Sequence, residues 1–430
     1  MLKKPLSAVK KFAEEKPTAM RYAIDGLFVS AAFAIAAQNN NLFALRLGAN
    51  DFQLSLVQFL PQIFNMLILI PGGLFIDSLF NKRRMVTISL VIIAAGYLLC
   101  ALSAFSGSHS IYFFLGALTV TAGAIQLHTI SWQSYFPDVI ETNDRNRVLT
   151  VRTLVNVIVS IPAPLLMGAV LTGIAAYSGK IIAHQGFYLV SALLLFMAVY
   201  NFRRFEAVRP AVPKRVSFFG IKKAGRSLFR NKPYLLFVGA AVFFHATWHI
   251  DWTLYFIGQV RYLSMNEFQL GLTVLGATAA QFLTMRFWSR KNERHGVVLP
   301  VTGGILGLSL CPLAMIAAVS MPPAAGIPVF LTFHTLANMT LATITLNVFQ
   351  CLMQVADDEY RSFSFSFFHC LICLSNAVMP VAGVALYHAL GGDRDGLRFA
   401  FLIIFALRII AALIWLICWR LQKPAYAKTG

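Results

Sequence analysis

The chain has 430 residues, of which 58% are hydrophobic and only 12% charged, whereas a soluble protein carries about a quarter charged residues. A membrane span needs roughly 20 apolar residues, so this composition predicts a membrane protein with about a dozen helical spans and excludes a soluble globular enzyme. The net charge of +19 would also suit a nucleic-acid-binding protein, but the positions of the cations favour membrane loops instead.

Hydropathy divides the chain into twelve predicted spans, which are numbered one to twelve in chain order. They cover 22–46, 52–76, 85–105, 111–136, 148–174, 185–203, 233–258, 268–289, 297–319, 327–351, 361–389 and 397–419. Residues 1–21 are polar and basic, without the apolar core of a cleavable signal, and are interpreted as a cytoplasmic tail. A basic linker at 204–232 separates a first bundle at 22–203 from a second at 233–419, and 420–430 form the second tail.

The cations are distributed unevenly between the two sides of the membrane. Most of the 36 Lys and Arg residues lie in the tails, in the linker and in the links after spans two, four, eight and ten. The opposite side has Arg46, Lys180, Arg261, Arg394 and Arg398. Because cations concentrate in cytoplasmic loops, this asymmetry predicts a cell-membrane protein with both termini and the linker in the cytoplasm.

The short link between spans two and three has a recognisable pattern. Its residues are Gly73, Asp77, Lys82, Arg83 and Arg84. This Gly-x-x-x-Asp sequence before a Lys/Arg cluster resembles the loop between the second and third helices of the major facilitator superfamily. It departs from that loop at Ser78, where the family usually has arginine, and at Phe80, where it usually has glycine. The alternative is an ordinary cationic loop that only sets topology.

The resemblance implies that Asp77 steadies an inner gate between the two halves of the protein. We expect Asp77→Asn to lower transport strongly while membrane insertion stays intact. Flux into liposomes, compared at equal amounts of inserted protein, checks this. Unchanged transport in the variant would show that the loop only sets the membrane topology.

The two halves of the chain share an internal repeat. The segment Asn50–Leu56 (NDFQLSL) matches Asn266–Leu272 (NEFQLGL), at an offset close to half the chain. The same offset pairs Asn65 with Gln281, Arg145 with Arg361, Pro164 with Pro380 and Asp77 with Glu293. Two parallel six-span halves are the arrangement of the major facilitator fold. The resemblance therefore covers nearly the whole chain and implies an all-α membrane protein with twelve transmembrane helices in two six-helix pseudo-repeats.

Acids beside arginines recur at the ends of the spans. Asp138 and Arg145 follow span four and resemble the second cytoplasmic gate loop of the family, with a counterpart before Arg361. Glu293 and Arg294 follow span eight in the same way. Such pairs can close a cytoplasmic mouth and break when it opens. The alternative is a set of solvated loop charges.

Polar side chains recur at helical spacing on eight of the spans, whereas spans three, six and twelve are nearly all apolar and span nine has only small hydroxyls. Because an unpaired amide in lipid costs several kcal/mol, the polar faces are expected to meet one another or water. The resemblance implies the same division, with helices three, six, nine and twelve peripheral to a central cavity. The candidates for lining this cavity are Asn39, Gln62, Asn65, Gln126, Asn156, His245, Trp248, Trp252, Tyr255, Gln281, His334, Asn338, His369 and Asn376. For any single amide, the alternative is a helix–helix hydrogen bond.

Span seven has the richest polar face. His245, Trp248, Trp252 and Tyr255 fall on one side of a helix. Aromatic rings beside hydrogen-bonding groups suit sugars or flat, partly cationic organic molecules. The alternative is an aromatic belt at the outer membrane interface.

Two acids lie within the spans, and Arg408 lies near the middle of span twelve. Asp25 is close to the cytoplasmic start of span one, where it is interpreted as open to water, and Asp251 lies deeper, near His245 and His249. Asp251, His249 and Asp25 are therefore candidates for proton coupling. Substrate contact and structural pairing remain open for Asp251. Arg408, which costs about 2.5–3.5 kcal/mol at mid-bilayer, is expected to turn towards a neighbouring helix.

We interpret the chain as a secondary transporter that moves a small organic solute by rocking of its halves around a central site, with proton coupling left open. It is expected to act as a monomer in the lipid bilayer, without nucleic acid, metal or cofactor, and not as an enzyme. One alternative is a non-transporting receptor or scaffold on the same fold. The other is a membrane-embedded enzyme, which would need a nucleophile–base pair or a metal cluster whose spacing we do not find.

Overall fold

The computed structural model describes residues 17–77, 81–140, 148, 152, 156, 158–159, 161–205, 218–296, 298–356 and 361–426. All regular structure in these residues is helical. Ten of the helices are long and apolar enough to cross a membrane. The helix Pro17–Arg46 and the short apolar helix Pro162–Gly173 lie at the positions of predicted spans one and five. The prediction of an all-α membrane protein is confirmed.

Contacts divide the chain into two compact units. The first unit comprises the described residues of 1–49 and 64–215, and the second those of 50–63 and 216–430. Helices of the first unit are Pro17–Arg46, the later part of Asp51–Asp77, Lys82–Leu102, Ser110–Val139, Pro162–Gly173 and Tyr177–Phe202. Two short 3₁₀ turns, Ser103–Phe105 and Gly107–His109, join spans three and four.

Span six is tied to span one by a buried histidine. The Nδ1 atom of His184 lies 2.8 Å from the Asn39 Oδ1 atom, and Arg46 donates to the His184 Nε2 atom at 3.1 Å. Because arginine can only donate, Nε2 must be the acceptor and Nδ1 must carry the ring proton. Asn39 is fully buried in this contact. The helix–helix hydrogen bond, and not the cavity, is therefore the role that its position supports.

The second unit contains several helices that are interrupted where the sequence predicted continuous spans. Its helices are the linker helix Phe218–Arg230, Lys232–His249, Trp252–Ile257, the π-helical turn Gly258–Tyr262, Glu267–His295, Val298–Leu308, Leu310–Val319, Pro323–Asn338, Leu341–Val355, Arg361–Ala389 and Arg394–Tyr426. Predicted spans seven, nine and ten are each found as one apolar span, at Lys232–Tyr262, Val298–Val319 and Pro323–Val355, but the helix is interrupted by a turn at residues 250–251, 309 and 339–340.

Side chains from other spans satisfy the backbone at these breaks. The Leu308 carbonyl has no helical donor because residue 312 is proline, which lacks an N–H. Arg408 supplies the missing donor at 2.9 Å. In span ten, the Met339 carbonyl accepts from the Thr284 hydroxyl and the Trp288 indole, each at 2.8 Å. Hydropathy cannot detect such breaks, because the sequence around each break is mostly apolar and the donors that satisfy its backbone come from other spans.

The repeated sequence motif forms the same local structure in both places. The Asn50 side chain accepts from the Gln53 backbone N–H at 2.8 Å, and the Gln53 side chain accepts from the Asn50 backbone at 3.0 Å. Asn266 and Gln269 repeat this exchange at 2.9 Å in each direction. Each motif is therefore a reciprocal capping box that begins a membrane helix.

Candidate functional site

The second unit contains two groups of aromatic and imidazole rings on or beside span seven, together called the span-seven cluster. The first group is His245, Trp248, His249 and Trp252, and the second is Tyr255 and His334. Ring centroids lie 5.9 Å apart for Trp248 and Trp252, and 4.7 Å apart for His249 and Trp252. His334 of span ten reaches the Tyr255 ring at 5.9 Å. The structure thus brings three of the predicted cavity residues of span seven into ring contact, and it pairs the fourth, Tyr255, with His334.

Two histidines of the cluster have identifiable hydrogen bonds. The His245 Nδ1 atom lies 2.7 Å from the Ala241 carbonyl, so Nδ1 is the donor and Nε2 the acceptor in the neutral ring. His249 is buried and its Nδ1 atom lies 3.1 Å from the Ser375 hydroxyl of span eleven. The cluster therefore combines flat apolar faces with fixed hydrogen-bonding edges, as a site for a ring-containing molecule requires.

Asp251 lies at the break in span seven and is paired with Arg408. The Arg408 Nη2 atom donates to Asp251 at 2.5 Å, and the two side chains are 1% and 0% exposed. Arg408 also donates to the carbonyls of Thr247 at 3.2 Å and Leu308 at 2.9 Å. It therefore turns inward, as expected from its cost in lipid. Of the three roles left open for Asp251, this geometry favours structural pairing.

The first unit contains a cavity of about 560 Å³ between spans one, four and five. It is lined by Val29, Ser30, Phe33, Ala34, His128, Thr129, Trp132, Gln133, Arg152 and Asn156. One formally charged side chain, Arg152, is in this lining. The rest combines hydroxyl, amide and imidazole groups with aromatic and aliphatic surface, which is the usual composition of a site for a small organic molecule.

Two neighbours hold the Arg152 side chain in place. Its guanidinium lies over the Trp132 ring at 3.9 Å from the centroid, a close cation–π contact. Its stem crosses span one at Gly26, where an added Cβ atom would lie 2.7 Å from the Arg152 Cγ atom. Arginine reaches this position only because residue 26 has no side chain.

Asp25 is the adjacent residue on span one and is fully buried. Neither of its carboxylate oxygens has a hydrogen-bond partner among the described residues, and Arg152 lies within electrostatic range. The interpretation that Asp25 is open to water was therefore wrong, because the side chain points into the helix bundle. His128 is also buried, and its Nδ1 atom has no partner among the described residues.

Two more predicted site residues adjoin these groups, and the others are partly or largely accessible elsewhere. Asn338 is buried and donates to the His334 carbonyl of its own helix at 2.8 Å and to Cys311 at 3.7 Å. Gln62, Asn65, Gln126, Gln281, His369 and Asn376 are partly or largely accessible. Asn156 lines the cavity of the first unit.

The predicted gate residues are mostly beyond what the structure describes. Arg145 lies outside the described residues, as do the side chains of Asp77, Asp138, Glu293 and Arg361, and Gly73 lies within the helix Asp51–Asp77. Lys82 and Arg84 open span three, Arg83 donates to the Phe205 carbonyl, and Arg294 is exposed near the end of span eight. The gate therefore stays a prediction.

Sequence reasoning missed the importance of Arg152, Trp132 and His128. Arg152 was placed on the polar face of span five and counted with the cations of the preceding link, and neither Trp132 nor His128 was singled out. A signal was nevertheless present, because His128 and Trp132 are four residues apart, as are Arg152 and Asn156. Such a spacing places each pair on one helical face.

Several solved transporter structures have the same fold. A bacterial homologue of the iron transporter ferroportin, inward-facing, aligns with a TM-score of 0.73 at 13% identity over 94% of this chain and 98% of that one. A bacterial homologue of the human lysosomal transporter Spinster gives 0.66 at 14% over 96% of each chain. The nucleoside transporter NupG gives 0.69 at 12% over 94% and 99%. At these identities the likeness shows the fold alone.

Sequence comparison identifies the protein family, which similarity of fold alone does not. No curated protein matches it in sequence. The family profile described as Major Facilitator Superfamily matches residues 22–260, which is more than half of the chain. Together with the all-helical fold and the repeated capping boxes, this match shows that the chain belongs to the major facilitator superfamily.

Proposed function

We propose that the protein is a secondary active transporter that moves a small organic solute across the membrane by alternating access. The observation that carries this proposal is the cavity of about 560 Å³ inside the first unit. Buried polar groups within a membrane bundle are costly unless they serve a site or a pathway. The span-seven cluster of the second unit adds a further surface for a ring-containing solute.

Flux measurements on the purified protein in liposomes test this. We expect uptake of at least one member of a labelled panel of sugars, nucleosides, amino acids, aromatic carboxylates and lysolipids. Protein-free liposomes and the gate variant Asp77→Asn are the controls. Binding of a solute without any flux would instead favour the receptor alternative, and chemical conversion of a solute would favour the enzyme.

We also propose that transport is coupled to protons and that Asp25 is the group that carries the proton. Asp251, the other acid within the described spans, is compensated by Arg408 at 2.5 Å. Asp25 is equally buried but accepts no hydrogen bond among the described residues. A carboxyl group in such surroundings can change its protonation without breaking a structural pair.

An imposed pH gradient distinguishes the two acids. We expect native flux to rise with an inward proton gradient, and Asp25→Asn to transport at a rate that ignores the gradient. Asp251→Asn should lower the stability of the protein while any remaining flux still responds. The assignment fails if Asp25→Asn keeps the full response or if native flux is indifferent to the gradient.

A further inference from the structure

We propose that the cavity of the first unit binds a small organic monoanion with a flat apolar body, typified by an aromatic carboxylate, and that Asp25 takes up a proton when the anion binds to Arg152. This inference rests on the proposed transport function and names its substrate class. It places the recognition of the charged end of the solute in the first unit.

The charge of the cavity selects an anion. Arg152 is the one formally charged residue in its described lining, and it stays protonated at any physiological pH. Stacking on Trp132 occupies a face of the guanidinium, whereas arginine binds a carboxylate in a bidentate manner through the N–H edge of the guanidinium plane. A single arginine balances one negative charge, which favours a carboxylate over a phosphate dianion.

The remaining walls select the body of the solute. Phe33 and Trp132 supply aromatic surface, and Val29 and Ala34 supply aliphatic surface. Gln133 and Asn156 add amide groups that can orient polar substituents. A flat, mostly apolar body with one carboxylate matches this division better than a sugar, which would need polar groups on all sides.

Asp25 links anion binding to protonation. Among the described residues, the ionisable groups in electrostatic range of one another here are Asp25, Arg152 and His128, while Arg21 lies exposed one turn away on the same helix. An ionised Asp25 offsets the positive charge of Arg152 and therefore weakens the attraction of Arg152 for an incoming carboxylate. Protonation of Asp25 removes this negative charge and so raises the affinity for the anion. By linkage, a bound anion must raise the affinity of Asp25 for a proton by the same factor.

Calorimetry with two matched probes tests the inference on the full-length protein in detergent. The probes are 1-naphthoate and its neutral amide, 1-naphthamide, each titrated in two buffers that differ in ionisation enthalpy. We expect naphthoate to bind at least about tenfold more tightly than naphthamide, with uptake of close to one proton per anion. Its affinity should fall by about tenfold per pH unit wherever Asp25 is ionised in the empty protein.

Three variants test which residue is responsible for the anion preference and which for the proton uptake. Arg152→Gln should lose the preference for the anion, Asp25→Asn should bind naphthoate without proton uptake, and Arg203→Gln, an exposed cation of the same unit, should behave as the native protein. Equal binding of the two probes, anion binding without proton uptake at every pH tested, or no anion binding would each overturn the inference. The native protein alone decides these outcomes, even if a variant fails to fold.

The result also separates this inference from the proposed function. Naphthoate binding with proton uptake but without flux in liposomes would overturn transport and leave the anion site standing. Flux of another solute by a protein that does not bind naphthoate would leave transport standing and overturn the anion site.

Discussion

Replacing Arg408 with methionine is expected to destabilise the second unit by about 3 to 5 kcal/mol. The substitution leaves Asp251, which is fully buried, without the cation that donates to it at 2.5 Å. It also removes the donor to the Leu308 carbonyl, which Pro312 cannot supply. Thermal unfolding of the purified variant, followed by size-exclusion chromatography after heating, measures the loss.

A double variant separates charge from hydrogen bonding. Arg408→Met combined with Asp251→Leu removes both buried charges, so we expect it to recover part of the lost stability. Recovery should be incomplete, because the carbonyls of Thr247 and Leu308 still lack the donor, at about 1–3 kcal/mol for each unsatisfied group. A single Arg408→Met variant as stable as the native protein would contradict the structural role of the pair.

The substitution Gly26→Ala is expected to lower solute uptake by more than tenfold. The added Cβ atom would lie 2.7 Å from the Arg152 Cγ atom, near the base of the side chain, so the whole guanidinium must move away from Trp132. Alanine favours the helix by about 1 kcal/mol over glycine, which offsets part of the cost of moving the arginine. Uptake into liposomes and thermal unfolding are measured together.

A matched control for this variant lies in the same unit. Gly186 of span six has no atom within 4 Å of an added Cβ, so Gly186→Ala should gain a similar helical preference and keep native uptake. If Gly26→Ala transports like the native protein, the position of Arg152 is not important for the site.

Much of the fold could be predicted from the sequence because its determinants are local. Long apolar runs predicted the helices, and the repeated Asn-acid-Phe-Gln motif predicted that the two halves correspond. In the structure each copy of the motif is a capping box whose partners lie within one turn. The breaks in spans seven, nine and ten could not be predicted in the same way. Their stability depends on donors from distant spans, such as Trp288 for Met339.

The candidate site was predictable in part. A helical wheel brought His245, Trp248 and Trp252 together correctly, because they share one helix. It could not show that Asp25 is buried, since burial depends on which neighbouring helix covers the side chain. Nor could it pair Asp251 with Arg408, since these residues are 157 positions apart and only packing brings them into contact.

The partners of Arg408 also have a consequence for the order in which the protein is made. Spans seven and nine leave the ribosome well before span twelve, because a chain is synthesised from its N-terminus. Until Arg408 arrives, the Leu308 carbonyl and the Asp251 carboxylate lack the donor that they have in the finished protein. Such unsatisfied groups are unfavourable in lipid. A chain that ends before residue 408 should therefore be recognised as incompletely folded and degraded. The second unit can therefore finish folding only after its last helix has been made.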